Sequence, residues 1–223
     1  MTADGNWKRL FPIRFRRLQG DQSFKRWDIV EFDYRKHASD HRPESCRVHE
    51  ESIHIVGRTK KSAEKASLVA RALTPSEKYA SAEDMSLALI RPKNVRFASK
   101  KRTDVELNKM RERFAAQSAQ LSLIEEEIAA YEPCPYEFTM HYFDEDGPHR
   151  KTCSDWETSA TFFNHRRKYG EEATLRHLEK TYCHDYVESG LYFAIGNMKK
   201  RPKTWQLLGI FPVKSTKQQD LFP

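Results

Sequence analysis

The first hundred residues alternate between apolar and polar side chains over short stretches, which is typical of strands with one buried face. In residues 30–35, Val, Phe and Tyr alternate with Glu, Asp and Arg, and residues 52–56 repeat the pattern around two isoleucines. Residues 86–90 are a third strand candidate, whereas residues 62–73 have the spacing of a short helix that Thr74-Pro75 ends. This part of the chain is therefore predicted to be rich in β-structure.

Apolar residues at intervals of three and four predict the longest helix, over residues 104–131. Asp104 can cap its first turn, and Glu132-Pro133 ends it. Strands and helices mix beyond this point. The predicted strands are residues 136–142, 191–196 and 204–212, and the predicted helices are residues 155–169 and 171–186.

These elements predict an α+β fold in four parts. Residues 1–103 form a β-rich N-terminal domain, residues 104–132 a connecting helix, and residues 133–213 an α+β C-terminal domain. Residues 214–223 are expected to be a flexible tail.

The composition narrows the class of protein. The 223 residues are 38% hydrophobic, too apolar for a disordered chain, yet no apolar run approaches the roughly 18 residues of a membrane span. The first ten residues lack the apolar core of a signal peptide, and the four cysteines form no disulfide framework. We expect a cytoplasmic protein with no membrane partner.

The positive charge is clustered. Lys and Arg number 39 against 32 Asp and Glu, a net charge of +7. Cation clusters neutralise phosphates, and the aromatic residues that interleave with the first cluster can stack on bases, so nucleic acid, with DNA first, is the expected partner. The alternative is that these are solvated faces. The predicted contact residues are Arg9, Arg14, Arg16 and Arg17, then Arg91, Lys93, Arg96, Lys100, Lys101 and Arg102, then Lys199, Lys200 and Arg201.

Neither a metal nor a cofactor is predicted. Two groups of His and Cys, in residues 37–54 and 134–153, have spacings too irregular for a zinc site. The chain has no phosphate-binding P-loop and no Gly-rich dinucleotide loop.

Acidic residues leave open a metal-dependent nuclease, which would need convergent carboxylates. The candidates are Asp144, Asp146, His149, Asp155 and Glu157. The structural alternative places the first two in a turn and makes Ser154 and Glu157 a capping box, with Trp156 on the buried face of the helix. Whether the protein is an enzyme therefore stays open.

A third hypothesis is a pocket that recognises a nucleotide or modified base. It would use Trp27, Trp205 and the loop Arg42-Pro43-Glu44-Ser45, in which proline fixes a turn and Arg42 and Glu44 can orient it. Asp155 and Glu157 are further pocket candidates.

The last residues, Gln218-Gln219-Asp220-Leu221-Phe222, resemble the short peptide by which bacterial proteins dock on the DNA polymerase sliding clamp. The resemblance implies that Gln218 hydrogen-bonds beside a pocket that Leu221 and Phe222 fill. The alternative is that Leu221 and Phe222 pack on the chain itself. Together with the basic clusters, this peptide suggests an accessory protein of replication, repair or defence against mobile DNA.

Seven short motifs together resemble a family of uncharacterised prokaryotic proteins, which implies a shared architecture and no particular activity. The resemblance departs at Gly147-Pro148-His149, where relatives carry cysteines just before a Gly-His pair. The motifs are residues 5–16 (GNWKRLFPIRFR), 26–28 (RWD), 42–45 (RPES), 86–92 (SLALIRP), 135–138 (PYEF), 155–157 (DWE) and 196–197 (GN).

Overall fold

The computed structural model has an α+β fold, which confirms the predicted class. It describes residues 1–14, 18–36, 40, 42–122 and 132–214, apart from the side chains of residues 117–122. Over these residues the chain forms eleven strands in four small sheets and six α-helices. No helix in this part of the chain has both the length and the hydrophobicity to cross a membrane.

Two small sheets form the first part. One has the order β1-β4-β3 and the other pairs β2 with β5. The predicted strand over residues 30–35 is divided between them, because Glu31 pairs with His54 and Tyr34 pairs with Val48. The strands are β1 (Arg9–Phe11), β2 (Asp28–Glu31), β3 (Tyr34–Arg35), β4 (Ser45–Val48) and β5 (His54–Arg58).

The central sheet is antiparallel and has the order β11-β10-β6. Its strands are β6 (Leu87–Ile90), β10 (Leu191–Met198) and β11 (Arg201–Pro212), close to the predicted ranges. All four residues of β6 are buried, as are Phe193, Ile195 and Leu207. This sheet therefore supplies much of the main core.

The fourth sheet has the antiparallel order β7-β8-β9, from β7 (Lys93–Lys101), β8 (Tyr136–Asp144) and β9 (Gly147–Thr152). One side of β8 is buried and packs its Phe138 against Phe162. The sequence patterns did not predict β7 or β9, because β9 has no large apolar residue and β7 has only two.

The helices begin at different capping residues from those predicted. Thr103 and Glu106, rather than Asp104, form the capping box of the long helix: the Thr103 amide donates to Glu106 Oε2 at 2.8 Å. The next long helix is capped by Asp155 rather than Ser154, and Trp156 is 62% exposed rather than buried. The helices are α1 (Ser62–Ala72), α2 (Glu77–Ala82), α3 (Asp104–Ser122), α4 (Trp156–Tyr169), α5 (Glu171–Lys180) and α6 (Tyr186–Ser189), with a π-helical turn, Thr181–Asp185, between the last two.

Strand pairing crosses the predicted domain boundary at residue 103. Strand β6 precedes that residue and pairs with β10, and β7 precedes it and pairs with β8. Strand pairing is therefore continuous across residue 103, and the division into domains stays a prediction.

Candidate nucleic-acid interface

One side of the β7-β8-β9 sheet, here called the outer face, carries most of the exposed cations of the second basic cluster. The opposite side of β8 holds the core residues Phe138, Met140 and Tyr142. On the outer face, Phe143 is exposed, His141 is half-buried and Thr139 is buried. Cross-strand pairing arranges the outer face in rows: Lys93–Phe143–Pro148, Arg96–His141–Arg150, Ala98–Thr139–Thr152 and Lys100–Glu137.

The cations of this cluster differ in their partners. Lys93 pairs with Glu145 at 2.8 Å, and Lys101, on the core side, pairs with Glu171 at 3.4 Å. Arg102 pairs with Glu137 at 3.3 Å. Arg96 and Lys100, in contrast, make no ion pair with any described residue.

Arg150 and His141 belong to the outer face. The sequence analysis named neither as a nucleic-acid contact and considered His141 only within the His and Cys group of residues 134–153. Arg150 is exposed, and His141 lies between it and Arg96. The two guanidinium-bearing strands are about 10 Å apart, twice the spacing of neighbouring strands. The alternation of residues 136–142 places His141 on the polar side of a strand. It cannot identify Arg150 as a neighbour unless residues 147–152 are known to form the adjacent strand.

This arrangement favours binding of an anion. Arg96 and Arg150 flank His141 in a row that contains no carboxylate. Glu137 is the acidic residue of the four rows, and its carboxylate is already engaged by Arg102. A ligand that brings phosphates would supply the counter-charges that Arg96 and Arg150 lack among the described residues.

The two described arginines of the N-terminal basic cluster, Arg9 and Arg14, are already engaged in contacts within the protein. The Arg9 guanidinium donates to the carbonyl oxygens of Ser86 at 3.0 Å and Asn197 at 3.4 Å, and burial, with the nearby Arg42, lowers its pKa. Arg14 pairs with Glu50 through its backbone amide and its side chain. Arg16 and Arg17 lie outside the described residues.

The third cluster is at the tip of the β10–β11 hairpin. Lys199 and Lys200 form the turn, Arg201 begins β11, and all three are exposed. They lie just beyond Asn197, whose side-chain amide donates to the Pro202 carbonyl at 2.9 Å. The hairpin tip is thus a second accessible basic surface.

Two family models match the chain in succession. The first, described as Domain of unknown function (DUF8758), matches residues 1–72. The second, described as Domain of unknown function (DUF8757), matches residues 70–223, more than half of the chain. The chain belongs to the DUF8757 family. No curated protein and no solved structure matches it.

The DUF8758 and DUF8757 segments meet at a buried polar junction built from the sequence motifs. The Glu44 carboxylate accepts hydrogen bonds from the Ser86 amide at 2.8 Å and the Ser86 hydroxyl at 2.7 Å. Arg42 donates to Asp40 at 2.8 Å and to the Asn197 carbonyl at 3.1 Å. These hydrogen bonds from Arg42 hold the pKa of Asp40 well below its ordinary value. Arg42 and Glu44 therefore join the two segments.

A second contact joins the RWD and DWE motifs. Arg26 pairs with Glu157 at 2.5 Å, and Trp27 meets the ring of Phe211 edge-on at 6.2 Å. Asp155 caps α4 by accepting from the Glu157 amide and also accepts from Ile210, and its burial raises its pKa. This contact, like the first, spans the two family segments.

The predicted base pocket does not assemble from its two tryptophans. Trp27 is part of the contact with Phe211, whereas Trp205 is a core residue whose indole N–H donates to Ser81 Oγ at 2.9 Å. Arg42 and Glu44 lie in the buried junction instead. These side chains therefore occupy three separate places in the fold.

The carboxylates of the nuclease alternative belong to two separate networks. Asp144 ends β8, accepts from the Glu77 amide at 3.0 Å and lies 2.8 Å from His149 Nε2. Burial opposes ionisation of Asp144, but these hydrogen bonds outweigh it and lower its pKa. Asp146 accepts from Ser76, whereas Asp155 and Glu157 are at the start of α4. Within the described ranges, no cluster of three or more His, Cys, Asp or Glu side chains could hold a metal ion.

The predicted clamp-binding residues Gln218, Leu221 and Phe222 lie outside the described residues. The described chain ends with Val213, whose amide donates to the Gly190 carbonyl at 2.8 Å, and the exposed Lys214.

Proposed function

We propose that this DUF8757-family protein is a nucleic-acid-associated accessory protein that binds phosphates on the outer face of the β7-β8-β9 sheet. The observation that supports it is the row Arg96–His141–Arg150, in which two exposed guanidiniums have no counter-ion among the described residues. Lys100 extends the same face along β7, about 13 Å from Arg96 at the rise of a strand. Such a surface suits a polyanion better than a single small anion.

The test is the salt dependence of binding. Labelled DNA and RNA oligonucleotides are titrated with the protein over a salt series, and affinity is followed by fluorescence anisotropy. Arg96→Gln and Arg150→Gln should each weaken binding and reduce the slope of log K against log salt by roughly 0.7–0.9, as expected for one lost phosphate contact. Equal slopes for the wild type and both variants would contradict the proposal.

Arg176→Gln is the matched control. Arg176 is an exposed arginine of α5, the helix whose first residue Glu171 contacts Lys101 on the core side of the sheet. The substitution removes the same charge from the molecule but not from the outer face. It should leave the salt slope unchanged, which separates a defined site from an effect of net charge.

The proposal includes docking on a DNA polymerase sliding clamp through Gln218, Leu221 and Phe222. Its support is the peptide pattern, which follows the exposed Lys214. A pull-down of the purified clamp by the full chain should be lost in the double variant Leu221→Ala/Phe222→Ala and kept in Gln219→Ala, which changes a variable position. Recovery of the clamp by both variants would reject docking through Leu221 and Phe222 but would not contradict phosphate binding on the outer face.

A further inference from the structure

The outer face combines its cations with an exposed aromatic ring. Phe143 is 39% exposed although its neighbours Tyr142 and Asp144 are buried, and it lies in the row between Lys93 and Pro148. Phe143 therefore presents part of its ring to solvent on the same side of the sheet as the cations Arg96 and Arg150.

The aromatic row is next to the cationic row. Phe143 and His141 are two residues apart on β8 and point to the same side, so their Cα atoms are about 7 Å apart along the strand. Arg96 and Arg150 flank His141 in that second row. The outer face therefore places one aromatic ring and two guanidinium groups close enough together for a base and its flanking phosphates in one nucleic-acid strand to contact them at the same time.

This combination distinguishes single strands from duplexes. In a duplex the bases stack on one another and their faces are hidden, so a phenyl ring on an open sheet cannot reach them. In a single strand every base has a free face that can stack on an aromatic side chain, while cations follow the backbone. Pro148 beside Phe143 adds apolar surface to the same row.

We infer that the outer face is a single-strand site, with a base stacked on Phe143 and the flanking phosphates bound by Arg96 and Arg150. This rests on the proposed function and names its substrate class. Lys93 forms an ion pair with Glu145 at one edge of this site. Lys100 lies at the other end, where the bound nucleic-acid strand would continue.

The experiment compares a labelled oligothymidine strand with a duplex of equal length at one salt concentration. The single strand should bind at least tenfold more tightly. Phe143→Leu keeps an apolar side chain but removes the ring. It should weaken single-strand binding by about five- to 160-fold and duplex binding by less than twofold, since a stacked base contributes about 1–3 kcal/mol. Tyr169→Leu, at an exposed aromatic residue of α4, is the matched control and should change neither.

A direct readout is photocrosslinking of a strand that carries 5-iodouracil, followed by mass spectrometry. The crosslink should fall on Phe143, and thermal unfolding of each variant verifies that it is folded. Equal affinity for both nucleic acids with no effect of Phe143→Leu would overturn the single-strand inference while the arginine variants still report phosphate binding. If Arg96→Gln and Arg150→Gln also have no effect, the proposed function itself fails.

Discussion

The carboxylate of Glu44 accepts hydrogen bonds from both the amide and the hydroxyl of Ser86, at 2.8 and 2.7 Å, although 42 residues separate them. The Leu87 amide donates to the same carboxylate at 3.3 Å. Because Glu44 is buried, water cannot replace these contacts. The pair fixes the start of β6, and with it the edge of the central sheet, to the DUF8758 segment.

Glu44→Gln should lower the free energy of unfolding by about 1–3 kcal/mol. The neutral amide oxygen accepts more weakly than a carboxylate, and the NH2 group takes the place of the oxygen that accepts from the Ser86 hydroxyl, so the charge-assisted hydrogen bonds are lost. Chemical denaturation followed by circular dichroism measures the change. Glu83→Gln, at an exposed position nearby, is the control and should stay within about 0.5 kcal/mol of the wild type. Equal stability of the two variants would show that the junction does not hold the segments together.

Gly5→Ala should destabilise the protein more than Gly20→Ala. Both glycines have positive φ, of 86° and 56°, so an alanine is strained at either position. A Cβ at Gly5 would lie 2.7 Å from the backbone carbon of Arg71, whereas a Cβ at Gly20 meets nothing within 4 Å. We expect about 1 kcal/mol at Gly20 and a further loss of 1 kcal/mol or more at Gly5. Thermal and denaturant unfolding of the two variants give the difference, and equal losses would contradict the close approach of residue 5 to α1.

Asp155 should make stability depend on pH. Burial raises its pKa above the ordinary 3.8, so folding favours the protonated form. The stability that Asp155 contributes is present below pH 3.8 and is lost as pH rises through the raised pKa. The free energy of unfolding of the wild type, relative to Asp155→Asn, should therefore fall as the pH rises above 3.8. A constant difference in unfolding free energy between the wild type and Asp155→Asn would mean that the Asp155 carboxyl ionises as it does in water. Asp21→Asn, at an exposed site, is the control.

Lys100 and Lys101 are neighbours in sequence but should behave differently in nucleic-acid binding. Lys100 is on the outer face, opposite Glu137 in the strand register but without an ion pair to a described residue. Lys101 is on the core side, 3.4 Å from Glu171 and above the ring of Tyr136. Lys100→Gln should reduce the salt slope by roughly 0.7–0.9, and Lys101→Gln should leave it unchanged. Anisotropy titrations of both variants measure this, and equal reductions would indicate that the basic run acts as a whole rather than through one face.

Local patterns in the sequence determined much of the secondary structure. The alternation at residues 136–142 lies within β8, and the 3–4 spacing from residue 104 begins α3, because each pattern reflects burial on one side of a single element. The same logic predicted the two strands of the β10–β11 hairpin. It missed β9, whose residues become a strand only by pairing with β8.

The candidate site depended on pairing that no local pattern records. The sequence analysis treated residues 91–102 as one basic cluster. In β7, however, successive side chains alternate between the two sides of the sheet, so Lys100 and Lys101 lie on opposite sides. Arg150 joins Arg96 because two antiparallel registers place both beside His141. Likewise, the sequence suggested that Arg9, Arg42 and Glu44 are surface or pocket residues. Long-range contacts with Ser86 and Asn197 instead bury Glu44 and partly bury the two arginines. The sequence by itself thus determined the elements and the excess of positive charge, while only the tertiary structure decided which cations share a surface, because strand register joins residues far apart in the chain.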